Sequence, residues 1–483
     1  MTLPKRYTTL LLAPALATAL AGCSLAPAYT RPDSALAPQW LRGRDLPLAQ
    51  AVPVQSGWWR SFGDAALDAL VERALRDSPT LAQAQARVEE ARGTAEVAGA
   101  ALYPALTLNG AVDRVHNASG ANAGIGSGSG SNGQSLFAEA AYEVDFWGKN
   151  RAASHSAQAL AQASVFDGDT VALTLTAAVA DTYFQLLSSR ERLALARSIA
   201  ADAERLLVLV QGQARAGVAT ELQVEQQRNI AATFAAAVPV LQQQTEQDGH
   251  LLAVLVGAAP ESFALPAAGV TAIDVPLAQA GMPSSILQRR PDIRAAEARL
   301  VSANFDVGVA RAAFYPSLSL TADAGLSSAS LGHLLSSNPL ADIAASLVQP
   351  VFDGGQLRGQ LAFDRARVTE LAAAYRATVL GALQEVEDAL SAERHQRELE
   401  DADRIAASSA QRASTLAQAQ YRLGIADFLS VLTTQRSAFQ AQDALLQVRL
   451  ARLQAAVGLF RTLGGGFKDS GDSATAQMTS GEK

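Results

Sequence analysis

The stretch Leu136-Phe137-Ala138-Glu139-Ala140-Ala141-Tyr142-Glu143-Val144-Asp145-Phe146 alternates with a period of two. Successive side chains of a strand point to opposite sides, so Leu136, Ala138, Ala140, Tyr142, Val144 and Phe146 share one face. Phe137, Glu139, Ala141, Glu143 and Asp145 share the other. An unbroken apolar face backed by carboxylates is what a membrane barrel wall needs, with lipid outside and water inside. Leu106, Leu108 and Val112 alternate in the same way with Thr107, Asn109 and Asp113. Leu318, Leu320, Ala322, Ala324 and Leu326 alternate with Ser317, Ser319, Thr321 and Asp323, and a less regular run covers residues 342–352. Each run is about ten residues, the length of a tilted transmembrane strand. Glu139, Glu143, Asp145 and Asp323 are expected to face an aqueous lumen and make it acidic, which favours cations. Four strands do not close a barrel, and an open sheet edge in lipid leaves backbone groups unpaired. Strands must therefore be pooled between chains. Two chains give about eight strands around a filled interior and three give about twelve around a passage, so a trimer is expected.

The segments flanking these strands are helical. Residues 151–211 contain no Pro and one Gly, and Ala172, Val179, Leu186, Leu193, Ala200 and Leu207 recur every seven residues, as in a coiled-coil seam. At 1.5 Å per residue such a helix extends about 90 Å. Gly217 ends it, and a second helix is predicted over 220–255. The same order returns later, with helices predicted over 357–423 and 427–462 around a turn at Gly424, and shorter helices over 79–102 and 290–314 lead into the strands.

That order is a duplication. Leu102-Tyr103-Pro104-Ala105-Leu106-Thr107-Leu108 is matched by Phe314-Tyr315-Pro316-Ser317-Leu318-Ser319-Leu320, and Arg215-Ala216-Gly217-Val218-Ala219 by Arg422-Leu423-Gly424-Ile425-Ala426. Ordered matches at near-constant offset point to two structural repeats. The division expected is a signal peptide at 1–22, a lipidated N-terminal extension at 23–59, a first repeat at 60–260, a linker at 261–282, a second repeat at 283–465 and a disordered tail at 466–483. The fold class expected is an α+β membrane protein. The arrangement expected is a trimeric twelve-stranded β-barrel, four strands per chain, continued by a long α-helical barrel, which the family resemblance given below makes periplasmic.

Composition narrows the function. One Cys in 483 residues excludes an internal disulfide and multi-Cys metal sites, and the five His form no H-E-x-x-H pair. A net charge of −7 without a basic run argues against nucleic acid. No nucleophile–base pair stands out, so no enzyme activity, cofactor or metal is expected. Gly128-Ser129-Gly130-Ser131-Asn132-Gly133 matches a phosphate-loop pattern but precedes a strand, and reads as an extracellular loop.

Lys5 and Arg6 precede an apolar stretch ending in Leu20-Ala21-Gly22-Cys23, which resembles the bacterial lipobox. The resemblance implies removal of residues 1–22 and acylation of Cys23, and Ser24 after it implies the outer membrane. Cys23 to Pro32 (with Tyr29, Arg31 and Pro32) looks like the mature start of outer-membrane efflux lipoproteins. Trp58-Trp59-Arg60-Ser61-Phe62-Gly63-Asp64, Phe352-Asp353-Gly354-Gly355 and Tyr421-Arg422-Leu423-Gly424 are further hallmarks. Taken in order, the set resembles the TolC/OprM type of outer-membrane channel, in its lipoprotein branch.

That resemblance implies a homotrimeric exit duct for small toxic compounds, held in outer-membrane lipid and bridged by a periplasmic membrane-fusion adaptor to an inner-membrane resistance–nodulation–division pump. It places adaptor docking on the tips Arg215, Gly217, Val218, Arg422, Gly424 and Ile425. The family's aperture carboxylates fall on Ser430 and Thr433 here, which departs from the pattern, and Tyr421, Asp427 and Arg436 are the remaining aperture candidates. A duct for ABC-driven protein export and a pore-less lipid-anchored coiled-coil scaffold remain the alternatives.

Overall fold

The computed structural model describes residues 25–33, 36–41, 51–116, 130–263 and 269–467. The expected signal peptide, Cys23, most of the Gly/Ser-rich loop and most of the tail lie outside the described residues. In chain order the main elements are α1 (Ala65–Asp77), α2 (Pro79–Ala100), β1 (Ala105–His116), β2 (Gly130–Val144), α3 (Lys149–Arg215), α4 (Glu221–Leu255), α5 (Pro291–Ala312), β3 (Ser317–Ser328), β4 (Pro339–Val348), α6 (Gln356–Arg422) and α7 (Phe428–Thr462). The two halves match in length: α2 and α5 have 22 residues each, α3 and α6 have 67, and α4 and α7 have 35.

The chain divides into two compact units. The first takes the described residues within 25–32, 88–164 and 296–375; the second takes those within 33–87, 165–295 and 376–467. In the first unit the strands form one antiparallel sheet in the order β1-β2-β3-β4. Its register puts Leu106, Ala140, Ala322 and Ile343 in one cross-strand row, and Leu108, Ala138, Ala324 and Ala341 in another. One face is therefore apolar across all four strands, and it stands uncovered, with Leu106 and Ile343 at 76% and 84% exposure. β1 and β4 are the outer strands, each paired on one side only within the chain.

Two strand boundaries correct the sequence reading. β2 stops at Val144 rather than Phe146, because Asp145 turns to cap α3, its carboxylate accepting the N–H groups of Asn150 (3.1 Å) and Arg151 (2.9 Å). β4 runs from Pro339 to Val348 rather than over 342–352, since Pro350 has no N–H for the ladder.

The first unit also explains the Tyr29–Arg31 hallmark. Arg31 grips Glu297 with two hydrogen bonds (2.6 and 2.8 Å), Asn304 donates to the Pro27 carbonyl at 2.6 Å, and Arg311 donates to that of Leu25 at 3.3 Å. Six residues of extended chain cover roughly 20 Å and fourteen of helix about 21 Å, so residues 25–31 lie in step along α5. At Gly308 a Cβ would come within 2.8 Å of the Ala26 Cα, so only glycine admits the chain there.

In the second unit Trp58 stacks on Phe460 at 5.3 Å, and Phe62 lies against Phe184 at 5.1 Å. Asp64 caps α1 and accepts the Tyr183 hydroxyl at 3.1 Å. Along α3 the seam residues Val179, Leu186, Leu193 and Leu207 are all buried. α4 and α7 end at Gly257 and Gly464, both at positive φ, where a Cβ would collide with the carbonyls of Asp77 and Arg289.

Candidate functional site

The tips of the two long helical hairpins are built alike. At the end of α3, Val218 N–H donates to the Gln213 carbonyl (2.9 Å) and Gly217 N–H to that of Ala214 (3.0 Å). At the end of α6, Ile425 N–H donates to Gln420 (2.9 Å) and Gly424 N–H to Tyr421 (3.0 Å). Gly217 and Gly424 adopt φ of 76° and 75°, so each tip is a Schellman turn, the left-handed stop that satisfies the last helical carbonyls. The next helices start with side-chain caps. Thr220 and Gln223 form a capping box on α4, and Asp427 accepts the Ser430 N–H at 2.8 Å on α7.

Among the expected docking residues, Val218 and Ile425 stand 77% and 72% exposed, Leu423 within the second tip is exposed as well, and the sequence reading missed the exposed Leu222 and Leu429. Bare apolar side chains thus crowd the ends of both helical hairpins. A leucine five positions after each helix-stop glycine was the signal that would have found them. The Arg215 and Arg422 side chains are both exposed at these ends.

The aperture candidates separate into two groups. Tyr421 points inward: its hydroxyl donates to the Gln213 side-chain oxygen at 3.0 Å, joining α6 to α3, and its ring lies 5.3 Å from that of Phe428. Burial raises its pKa above the ordinary phenol value. Asp427, Ser430, Thr433 and Arg436 are instead exposed on α7, away from the buried Phe428, Val431 and Leu432. The side-chain and then the backbone hydrogen bond from Ser430 hold the Asp427 carboxyl below the usual range, so it works as a helix cap. The Thr433 hydroxyl turns back to the Leu429 carbonyl. Gln213 was the partner that sequence could not supply, since it lies 208 positions from Tyr421.

On the polar face of the sheet, Thr107, Glu139, Asp323 and Asp342 fall in one cross-strand row. Asn109 donates to Glu139 at 2.9 Å. Asp342 was missed because β4 alternates poorly. Glu143 pairs with Lys149 at 3.1 Å. Asp145 is corrected from a strand position to the α3 cap described above, paired with Arg151 at 3.3 Å.

Above the tips, Arg192 of α3 binds Asp443 of α7 through two hydrogen bonds, 2.6 and 3.1 Å. Glu400 of α6 is contacted by Arg452 (2.5 Å) and Arg449 (3.2 Å) of α7 and by Arg404 of its own helix (3.3 Å). No helix among the described residues is long and apolar enough to cross a membrane.

The family model described as outer membrane efflux protein matches residues 70–258 and again 282–465. The chain belongs to the outer membrane efflux protein family. A curated relative, the pyoverdine export outer membrane protein OpmQ of Pseudomonas aeruginosa, is 40% identical over 424 residues, 85% of this chain and 87% of the relative. The probable efflux pump outer membrane protein TtgC of Pseudomonas putida is 32% identical over 465 residues, 95% and 96% of the two chains. Among solved structures, the open state of the Neisseria gonorrhoeae MtrE outer membrane channel superposes with a TM-score of 0.83 at 28% identity, covering 92% of this chain and 99% of that one. This efflux protein is a protein of the outer membrane, in a family of transport ducts rather than of enzymes.

Proposed function

We propose that three copies of this chain form the exit duct of a tripartite efflux system, carrying drugs or other small toxic compounds out of the cell. The observation that carries the reading is a four-stranded sheet, apolar across one whole face and open at both edges, on a chain whose paired helical hairpins end in bare apolar tips. Open edges in lipid cost several kcal/mol per unpaired group, and pairing β1 of one copy with β4 of the next removes them. Three copies then give a barrel of about twelve strands with Glu139, Glu143 and Asp323 toward the lumen. Acylation of Cys23 adds a lipid anchor.

The two hairpins are two copies of one repeat, and the tips receive a periplasmic membrane-fusion adaptor that links the duct to a resistance–nodulation–division pump. The aperture is the ring of tips. The Tyr421–Gln213 hydrogen bond ties the second hairpin to the first there, and adaptor docking opens the ring by pulling the α6–α7 hairpin outward. The MtrE channel, solved in an open state on a fold that superposes well, supports an aperture that exists in two states.

Crosslinking in native envelopes followed by mass spectrometry tests the assembly. The expected result is a trimer recovered with an adaptor and a proton-driven pump. Recovery with an ABC transporter moves the cargo to exported protein, and recovery as a monomer overturns the duct.

A further inference from the structure

We propose that the Arg192–Asp443 ion pair is the pivot about which the α6–α7 hairpin swings when the aperture opens. The inference rests on the gated-duct reading above and adds where the moving segment ends.

The contacts between the two hairpins change in character with distance from the tips. At the tips there is one neutral hydrogen bond, Tyr421 to Gln213. Next comes an apolar layer in which Leu207 and Val210 of α3 and Phe234 of α4 meet Phe428 and Leu432 of α7, with Phe234 and Phe439 edge to face at 5.3 Å. Apolar contact is non-directional, so these surfaces can slide and tilt without losing a specific partner. Then the character switches. Arg192, about 23 residues or roughly 35 Å of helix above the α3 tip, holds Asp443 through both oxygens, and each side chain is largely buried. A two-point grip between a planar guanidinium and a carboxylate fixes angle as well as distance.

The hairpin is also stiffened from that level upward. Glu400 lies about 22 residues before the end of α6, and it draws Arg449 and Arg452 of α7 against α6. Arg449 in turn donates to the backbone carbonyl of Ile273, which fastens α7 to the loop after α4. A rigid, fastened upper segment and a sliding lower one, divided at a directional ion pair, is the arrangement of a lever with a fixed fulcrum.

The test uses the full-length protein in cells with its pump and adaptor, following efflux of a fluorescent dye. One variant carries Arg192→Cys with Asp443→Cys and another carries Gln213→Cys with Tyr421→Cys. Each is bridged by a short bifunctional thiol reagent, with the unbridged form as its control. The pivot predicts that the tip bridge stops efflux while the upper bridge leaves it unchanged. Efflux stopped equally by both bridges overturns the pivot, because residues 192 and 443 must then separate on opening. Efflux stopped by neither overturns the aperture reading itself. A second measurement does not depend on bridging. Arg192→Asp should admit a large hydrophilic antibiotic, lowering its inhibitory concentration about fourfold, and adding Asp443→Arg should restore it, as expected of a directly coupled pair. No recovery in the swapped pair removes the ion pair from the mechanism.

Discussion

α3 and α6 have the same length and the same place in their hairpins, yet their buried seams differ in kind. Aligned from their first residues, Leu186 of α3 stands opposite Glu393 of α6, and Leu193 stands opposite Glu400. All four side chains are buried. At these two seam positions the first hairpin buries leucines, which ask nothing of their neighbours but volume, and its buried carboxylate at this level, Asp248, is met by the neutral Ser189 hydroxyl at 2.6 Å. The second is held by carboxylates that each need a cation: Arg397 at 2.6 Å for Glu393, and Arg404, Arg449 and Arg452 for Glu400. A scaffold that keeps one shape is served by the first solution. A helix that must keep its partners in one register while part of it moves is served by the second, because ion pairs are lost steeply when geometry slips. This is the contrast expected if the first hairpin is the fixed wall and the second the moving one.

Exchanging the two chemistries should have very unequal results. Leu186→Glu puts a carboxylate at a fully buried position of the first seam, and a buried charge without a well-placed partner costs on the order of 4 kcal/mol. The expected outcome is loss of assembled protein from the outer membrane, read by gel mobility of unheated samples. The reverse exchange, Glu393→Leu, leaves Arg397 with about a quarter of its side chain exposed to reach water. It should assemble normally. Equal loss from both exchanges would show that the two seams are equally specific and would end the comparison.

Much of this architecture is legible in sequence, for identifiable reasons. The helix ends fall within a few residues of the pattern because glycine stops and Thr, Asp and Ser caps are local devices. The sheet is legible where alternation is strict, as at 136–144, and blurred in β4, where Asp342 was lost. Asp145 misled because a carboxylate in step with a strand looks the same whether it continues the strand or caps the next helix. The pairs that join the hairpins are not legible at all. Arg192 and Asp443 are 251 positions apart, and nothing local marks either one. Their meeting is a product of packing two long helices side by side.

The same contrast has a pH signature, with opposite signs inside the second seam. At Glu400 burial raises the pKa, but the hydrogen bond from Arg452 and the charges of Arg449, Arg452 and Arg404 outweigh it, so the folded pKa is depressed. A depressed carboxyl stabilises the fold above its unfolded pKa, and that stability is lost as pH falls through the folded value. At Glu393 burial dominates over Arg397 and the folded pKa is raised. Its contribution is full below the unfolded pKa and is lost as pH rises through the folded value. Heat inactivation of the assembled protein should therefore move to lower temperature as pH drops below the ordinary glutamate range, and Glu400→Gln should flatten that acid limb. Glu393→Gln should raise the midpoint at neutral pH and leave it nearly unchanged in acid. An acid limb that persists in Glu400→Gln would assign it to carboxylates outside this seam.

The smallest effect belongs where the hairpins are alike. Gly217 and Gly424 have matching φ, matching Schellman hydrogen bonds, and no atom within 4 Å of the position a Cβ would take. Alanine at either site meets no neighbour and suffers only the left-handed strain of an L-residue, roughly 1 kcal/mol. That corresponds to about a fivefold faster local opening, read as amide exchange over residues 213–218 in one variant and 420–425 in the other. The two losses should be equal, and asparagine, which tolerates this conformation, should cost less at both. The second tip also carries the Tyr421–Gln213 tie, and both partners lie on the helical side of their turns, so fraying of a turn does not break the tie directly. If exchange rises at 213–218 in Gly217→Ala but stays slow at 420–425 in Gly424→Ala, the tie is strong enough to hold its turn closed. The asymmetry between the hairpins would then begin at the tips and not some 35 Å above them.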